Sequence, residues 1–450
     1  MAGPNSKAGK QRGIADGHGG ASASVEKIGT FASLRIPNFR LLVTGTTLSN
    51  AAQWIQQVTL SWLVYDLTGS GTILGTINLV RSGALLGMIP IAGFFIDRLN
   101  RRTILLIENG WLFSITSTLG LMLVLGYSNI SYLFVFTFLA GMVQTVDFSL
   151  RQVLVFDLVP RSLTPNGVAL VQTGWSLMRS FGPGIGGFLI LWFGPGGNFL
   201  IQAGTYALIA ITIMQIIFPA RTSGGIQGFS LDHIREGIRY VMTEPTTRAF
   251  MMMGLVLPLL IIPIFVILPP VYAVEVFGDK SGKVLGFLMA SVGIGGIAGG
   301  FVTASLGYLE HRGLLQIVSL FLLSLSLIAF AFSTMLLISL ALLAVAGFFE
   351  MIFLTTNQTL IQLTIPDKLR GRVTTVVNLN FALMPLGGLV AGVGSDLLGG
   401  PKMITIILAG IAAIIAFFIL LCSPTIRHYR LSKALALDST STRPSTIEVV

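Results

Sequence analysis

The sequence predicts an all-α membrane protein whose twelve transmembrane helices form two six-helix bundles. Three observations carry that prediction: a composition too apolar for a water-facing surface, a dozen apolar stretches of spanning length, and an internal repeat relating the two halves. Hydrophobic residues make up 53% of the 450-residue chain and charged residues only 10%, with a mean hydropathy of +0.84. Soluble domains carry about 25% charged residues, so 28 basic and 18 acidic side chains leave most of this surface to face lipid. The same composition excludes a disordered, collagen-like or disulfide-stapled chain, since Cys422 alone closes no intramolecular bridge.

A helix crossing the hydrocarbon core needs about 20 mostly apolar residues. In chain order such stretches run near 40–64, 71–96, 103–126, 131–156, 166–193, 198–219, 249–273, 284–307, 314–333, 337–363, 373–396 and 403–422. Polar or glycine-containing breaks separate them, at Asp66 to Ser70, Tyr127 to Ile130 and Gly194 to Asn198. Strands are excluded because an open sheet edge cannot sit in lipid. Residues 1–35, rich in Gly, Ala, Ser and Lys and lacking an apolar core, read as a disordered cytoplasmic arm and not a signal peptide. The first bundle then occupies 36–219 and the second 249–422, and 423–450 form a cytoplasmic tail. In the connection 220–248, Phe229, His233, Ile234, Ile238, Tyr240 and Val241 recur at helical spacing beside Arg235, Glu236 and Arg239. That pattern predicts an amphipathic interfacial helix.

Charge placement sets the expected topology. An even number of spans puts both ends of the chain on one side, and the loops and tails of that side hold 22 of the 28 basic residues. The opposite loops hold Lys280, Lys283 and Lys402, and Arg81, Arg151 and Arg179 fall within spans. Loops rich in Lys and Arg stay in the cytoplasm, so both termini are expected there. The formal net charge of +10 is therefore a topology signal and not a nucleic-acid footprint.

The two halves resemble each other. Leu139-Ala-Gly141 followed by Leu158-Val-Pro160 recurs, shifted by 206, as Val345-Ala-Gly347 followed by Thr364-Ile-Pro366. Ser70-Gly71-Thr-Ile-Leu-Gly75 recurs as Ser281-Gly282-Lys-Val-Leu-Gly286. Parallel six-span repeats of this kind build two bundles around a central path. Small-residue pairs at Gly83/Gly87, Gly182/Gly186 and Gly296/Gly300 allow close helix approach.

Between the second and third spans stands Gly93-Phe-Phe-Ile-Asp97-Arg98-Leu-Asn-Arg101-Arg102. A carboxylate at a helix end beside three guanidinium groups can hydrogen-bond neighbouring helix termini across a short loop. A plain topology signal needs only the arginines and leaves Gly93 and Asp97 unexplained. The string resembles the signature loop of the major facilitator superfamily, G-x-x-x-D-R-x-x-R-R, at every position, whereas its second-half counterpart, Ala304 to Arg312, is degenerate. Within that superfamily the chain resembles the enterobactin-exporter and macrolide-efflux branch, the transmembrane secretion effectors. The strings that carry this are Ile36-Pro-Asn-Phe-Arg40, Trp62-Leu-Val-Tyr-Asp66-Leu-Thr-Gly-Ser70, Asp147-Phe-Ser-Leu-Arg151-Gln152 with Asp157-Leu-Val-Pro160, and Arg179-Ser-Phe-Gly182-Pro183. Ser149 departs from the branch, which often has proline there. Gly182-Pro183-Gly-Ile-Gly186-Gly187 is similar to the Gly-Pro motif of antiporters, though its upstream glycines are incomplete. The resemblance implies the major facilitator fold, secondary transport and export, and leaves the substrate open.

Ionisable residues inside spans are costly and mark function by default. Asp147 and Arg151 stand four apart on one face of span four, where they can pair. Arg81 and Arg179 fall near the middles of spans two and five. Glu350 lies near the middle of span ten, opposite Gln144 under the 206 shift, with no cation nearby in its own helix. Glu350, and after it Asp147, are the proton-coupling candidates. Glu108 is expected to pair near the signature loop. Asn50, Gln53, Trp54 and Gln57 recur at i, i+3, i+4 and i+7, a polar stripe that lines the path or glues helices together. Arg81, Gln144, Arg151, Arg179 and Asn357 join this stripe as substrate-path candidates.

No complete phosphate-binding loop, nucleophile elbow or metal-ligand spacing occurs, and the G-x-G-x-x-G at Gly182 to Gly187 follows no strand. An enzyme, a cofactor and a resident metal are therefore not expected. Residues and resemblance together predict a monomeric secondary transporter of the plasma (inner) membrane, with the bilayer as its surroundings. It is expected to export a small amphipathic molecule, drug-like or a siderophore, in exchange for protons. An uptake or facilitated-diffusion carrier of the same fold and a non-transporting membrane sensor are the alternatives.

Overall fold

The computed structural model describes residues 31–160, 162–218, 231–279, 281–305, 310–365, 369, 373, 376–377 and 383–427. Among these the regular structure is helical and no strand occurs. In the first half lie α1 (Pro37–Thr68), α2 (Gly71–Arg98), α3 (Arg101–Val124) and α4 (Ile130–Leu158). A run from Thr164 to Gln215 follows, broken at Gly194 into α5 (164–193) and α6 (195–215). The linker helix α7 (Leu231–Thr243) leads into the second half. That half holds α8 (Pro245–Val276), α9 (Lys283–Ser305), α10 (Arg312–Phe332), α11 (Leu336–Thr364), α12 (Met384–Leu397) and α13 (Pro401–Cys422). With α7 set aside, these are twelve crossings, of which α12 is described over its second part.

Eight of the described helices are long and apolar enough by themselves to cross a membrane, one of them being the α5–α6 run. Helix α1 falls outside that group: its polar side chains Asn50, Gln53 and Gln57 face the cavity described below, and much of the rest of the helix is buried within the bundle.

Local chemistry fixes the ends. Asn100 and Asn129 cap α3 and α4 by accepting from the amides of Arg102 and Ser131, and Glu244 caps α8 through Thr246. Pro37, Pro245 and Pro401 occupy first-turn positions, where no amide hydrogen is needed. The expected loop from Gly194 to Asn198 shrinks to one residue. Gly194 adopts φ 65°, open to glycine, and Pro195 restarts the helix in the next turn. Helix α8 contains Pro258, Pro263, Pro269 and Pro270 and widens into π-turns at Leu257–Ile261 and Tyr272–Val276. Each proline removes one ladder hydrogen bond, and the widened turns accommodate the loss.

Helix α1 packs along the α5–α6 run, α2 on α4, and α11 on both α9 and α10. Amide bonds reinforce the apolar packing. Asn198 donates to Thr59 Oγ1 (2.6 Å), Gln202 to Gln56 Oε1 (2.9 Å), and Gln316 to Asn357 Oδ1 (2.6 Å). Helix α7 docks on the second half, with Val241 buried and the Tyr240 hydroxyl donating to the Thr364 carbonyl (3.2 Å). Burial raises the pKa of that hydroxyl above its usual value, which keeps the proton it donates.

Candidate functional site: a two-lobed cavity between the halves

The halves meet along two seams, α2 against α12 and α5 against α9. Glycines make both seams possible. A Cβ on Gly71 would fall 2.7 Å from the Gly392 carbonyl oxygen, and one on Gly75 would fall 2.8 Å from Leu389 Cα. On the other seam Gly187 faces Gly286 backbone to backbone, and Gly184 faces Ala290. Gly75 and Gly286 are equivalent positions of the internal repeat, so the repeated glycine presses each half onto the other.

Both seams lie toward the side opposite the chain ends, the far side. Two polar contacts lock it. Asp396 at the end of α12 accepts from Ser70 Oγ (2.6 Å), the Gly71 amide (2.7 Å) and the Thr72 amide (2.9 Å). A carboxylate of one half thus caps the first turn of a helix in the other, where the free amides and the helix dipole favour a negative charge. Beside it the Tyr65 hydroxyl donates to Glu275. Sequence reasoning singled out neither Asp396 nor Glu275, because both sit in ordinary-looking loop-flanking positions.

Beneath this closure lies a cavity of two lobes that share Trp54, Gln57, Trp175, Val266 and Met384 as walls. One lobe is largely apolar, bounded by Pro183, Ile262, Phe265, Met289 and Met351. Arg179 of α5 and Glu350 of α11 form an ion pair on its wall. The Arg179 guanidinium also lies 5.7 Å from the Trp175 ring centroid. The other lobe is richer in polar groups and presents Asn50, Gln53, Gln57, Asn78, Arg81 and Ser82. Gln57 donates to Asn78 Oδ1 (3.0 Å), while Arg81 donates to Gln57 and, from Nη2, to Gln144 Oε1 (3.0 Å).

The structure therefore gathers Asn50, Gln53, Trp54, Gln57, Arg81, Arg179 and Glu350 on the cavity wall. Gln144 stands behind Arg81 and holds it. Asp147 and Arg151 pair in the interior of the first half, where Ser49 also donates to Asp147 (3.0 Å) and Thr46 lies 3.4 Å from Arg151 Nη1. Glu108, expected near the signature loop, is buried and has Asp147 and Arg151 as its charged neighbours, because its position on α3 faces α4. Asn357 bonds Gln316 of α10, away from the wall. Glu350 has no cation in its own helix, as the sequence indicates, yet it gains one from the other half. At the signature loop, Arg101 pairs with Asp157 of α4, and Arg102 Nη2 donates to the Met214 carbonyl of α6 (2.7 Å). Gly93, Asp97 and Arg98 lie in the helical backbone of α2, but the side chains of 89–98 are outside the described residues. Among the described residues no group of His, Cys, Asp and Glu is arranged to hold a metal ion. The apolar lobe was hidden from sequence reasoning, since Met289, Met351, Phe265 and Trp175 are ordinary span residues until four helices converge.

Comparison with known proteins agrees with this geometry. The family model described as transmembrane secretion effector matches residues 28–445. The Staphyloferrin A transporter of Staphylococcus aureus (strain NCTC 8325 / PS 47) is 25% identical over 352 residues, 77% of this chain and 86% of that protein. The multidrug efflux pump Tap of Mycolicibacterium fortuitum is 26% identical over 369 residues, 80% and 89% of the respective chains. Among solved structures, a bacterial homolog of the human lysosomal transporter Spinster, in an inward-facing and unoccupied conformation, superposes with TM-score 0.67. It has 15% identity and covers 88% of this chain and 98% of its own. A D-xylose-proton symporter gives TM-score 0.65 at 14% identity, covering 86% and 99%. Those structures share the fold of this chain. The chain belongs to the transmembrane secretion effectors of the major facilitator superfamily and is a multi-pass membrane transporter of small molecules, not an enzyme.

Proposed function

We propose that this transporter exports a small amphipathic organic molecule across the plasma membrane by alternating access, in exchange for protons, with both chain ends in the cytoplasm. The observation that carries the reading is the two-lobed cavity between the halves, sealed on the far side by two glycine seams and the Asp396 cap. A site so placed is exposed to one side at a time as the halves rock. The apolar lobe takes a hydrophobic body and the amide-rich lobe a polar end, which suits an amphiphile. The basic loops support a cytoplasmic tail side. A multidrug efflux pump and a siderophore transporter among the relatives support export of such molecules.

Proton coupling is assigned to Glu350. Its carboxylate holds Arg179 of the other half, so a proton arriving on Glu350 frees Arg179 and loosens the contact between the halves at the cavity. Asp147, paired with Arg151 and accepting from Ser49, serves as the second candidate.

Proteoliposomes with a panel of amphiphiles and an imposed pH gradient test this. With the far side acidic, substrate should accumulate on the far side as protons pass to the tail side. Movement of substrate with the protons would make the protein a symporter. Equal rates with and without the gradient would make it a facilitated-diffusion carrier, and no movement of any compound a sensor.

A further inference from the structure

Among the described residues three charged side chains line the cavity, Arg81, Arg179 and Glu350. Arg179 and Glu350 neutralise each other. Arg81 has no such partner. Its two terminal nitrogens donate to the amide oxygens of Gln57 and Gln144, both uncharged, and its Nε is buried without a hydrogen-bond acceptor. Among the described residues no carboxylate pairs with it, and its titratable neighbour is the Tyr206 phenol. Its own helix has no acid between Gly71 and Ile96. A guanidinium cannot shed its charge, and at membrane depth an uncompensated cation is costly. The arrangement around it nevertheless looks built. Gln57 holds one end of the Arg81 fork, and the amides of Gln144, Gln56 and Gln202 form a chain of hydrogen bonds behind the other, so the fork is fixed in place without its charge being cancelled.

Building on the reading of the cavity as the substrate site, we infer that the transported molecule carries an anionic group, a carboxylate, sulfonate or phosphate, that docks on Arg81 in the polar lobe. Its apolar body lies in the neighbouring lobe against Met289, Met351, Met384 and Phe265. The lining charge of one uncompensated cation is then balanced by the substrate itself. Planar, bidentate acceptors suit the guanidinium fork, and the thioether side chains adapt to apolar bodies of different shape. The acidic group gives selectivity and the methionine lobe gives tolerance.

The test uses purified protein in lipid nanodiscs and two fluorescent probes that differ by one anionic group: 8-anilinonaphthalene-1-sulfonate and its uncharged counterpart N-phenyl-1-naphthylamine. Saturable binding is read after subtraction of empty nanodiscs. The wild-type protein should bind the sulfonate about tenfold or more tightly than the uncharged probe, as expected for charge-assisted hydrogen bonds. Arg81→Gln should erase that preference while the uncharged probe still saturates, which also reports that the variant is folded. Arg81→Lys should retain part of it. Met289→Trp, which fills the apolar lobe, should weaken both probes together. Equal affinities in the wild type, or a preference that survives Arg81→Gln, would overturn the inference. If neither probe saturates, or if Met289→Trp changes neither, the cavity is not the binding site, and the underlying reading falls with the inference.

Discussion

Arg179 and Glu350 are 171 positions apart in sequence and meet across the cavity, which makes their ion pair the residue-scale link between ligand space and the motion of the halves. Breaking such a buried pair from one side strands the other charge, at a cost of about 3–5 kcal/mol. The two single variants therefore differ. Glu350→Gln mimics the protonated acid, so it should abolish gradient-driven efflux yet permit downhill counterflow in liposomes. Full gradient-driven efflux by this variant would remove Glu350 as the coupling site. Asp147→Asn should depress both activities, because Arg151 loses its partner in the buried interior of the first half. Normal counterflow by Asp147→Asn would show that the pair does not support the bundle. The sequence marks Glu350, Arg179, Arg81 and the Asn50 to Gln57 stripe as unusual, because polar groups at membrane depth stand out locally. Their partners are not legible there. The Arg179–Glu350 contact and the Arg81 amide cradle depend on helices brought together from different parts of the chain, and no spacing rule reaches across them.

At the scale of elements, the far-side closure rests on helix ends and seams. Asp396 of α12 caps α2 from the opposite half, and losing a cap of this kind costs about 1 kcal/mol. Asp396→Ala should therefore shift the population toward far-side opening by roughly fivefold. Spin labels at Leu67 and Leu397, both exposed at that end, should report a larger fraction of long distances. An unchanged distance distribution would reduce the cap to a local contact. Gly286→Val acts in the same direction by steric means. Its side chain would meet the Gly187 backbone, and forcing bulk into such a seam costs about 1–3 kcal/mol. Transport by this variant should fall while expression persists, and undiminished transport would show that the seam does not need to close. The repeat made Gly75 and Gly286 legible as equivalent positions, and the structure gives them an equivalent task. The collapse of the Gly194 to Asn198 loop to a single residue was less legible, because Pro195 serves equally well as a loop residue and as the first residue of a helix. Asp396 was missed for a related reason: a cap supplied by another half leaves no trace in the sequence around the helix it caps.

For the whole molecule, twelve crossings and two related halves were legible because lipid imposes a length and an apolarity on every span. Which end is closed was not, since that depends on a balance between two sets of inter-half contacts. The basic-residue bias predicts that a cysteine placed at Ser128 reacts with a membrane-impermeant maleimide added outside intact cells, whereas one at Met242 in α7 does not. Labelling of position 242 from outside would reverse the topology. The central claim is that the halves rock about the cavity, closing one end as the other opens. It is tested most directly by measuring both ends in one protein by electron-electron double resonance, with Cys422 replaced by serine so that the exposed native thiol carries no label. One sample carries labels at Leu67 and Leu397 on the far side, and the other at Leu99 and His311 on the tail side, all of them exposed. When the far-side pair is lengthened, by Asp396→Ala or by pH, the tail-side pair should shorten in the same proportion of molecules. Distances that stay fixed at both ends, or that lengthen together, would contradict alternating access.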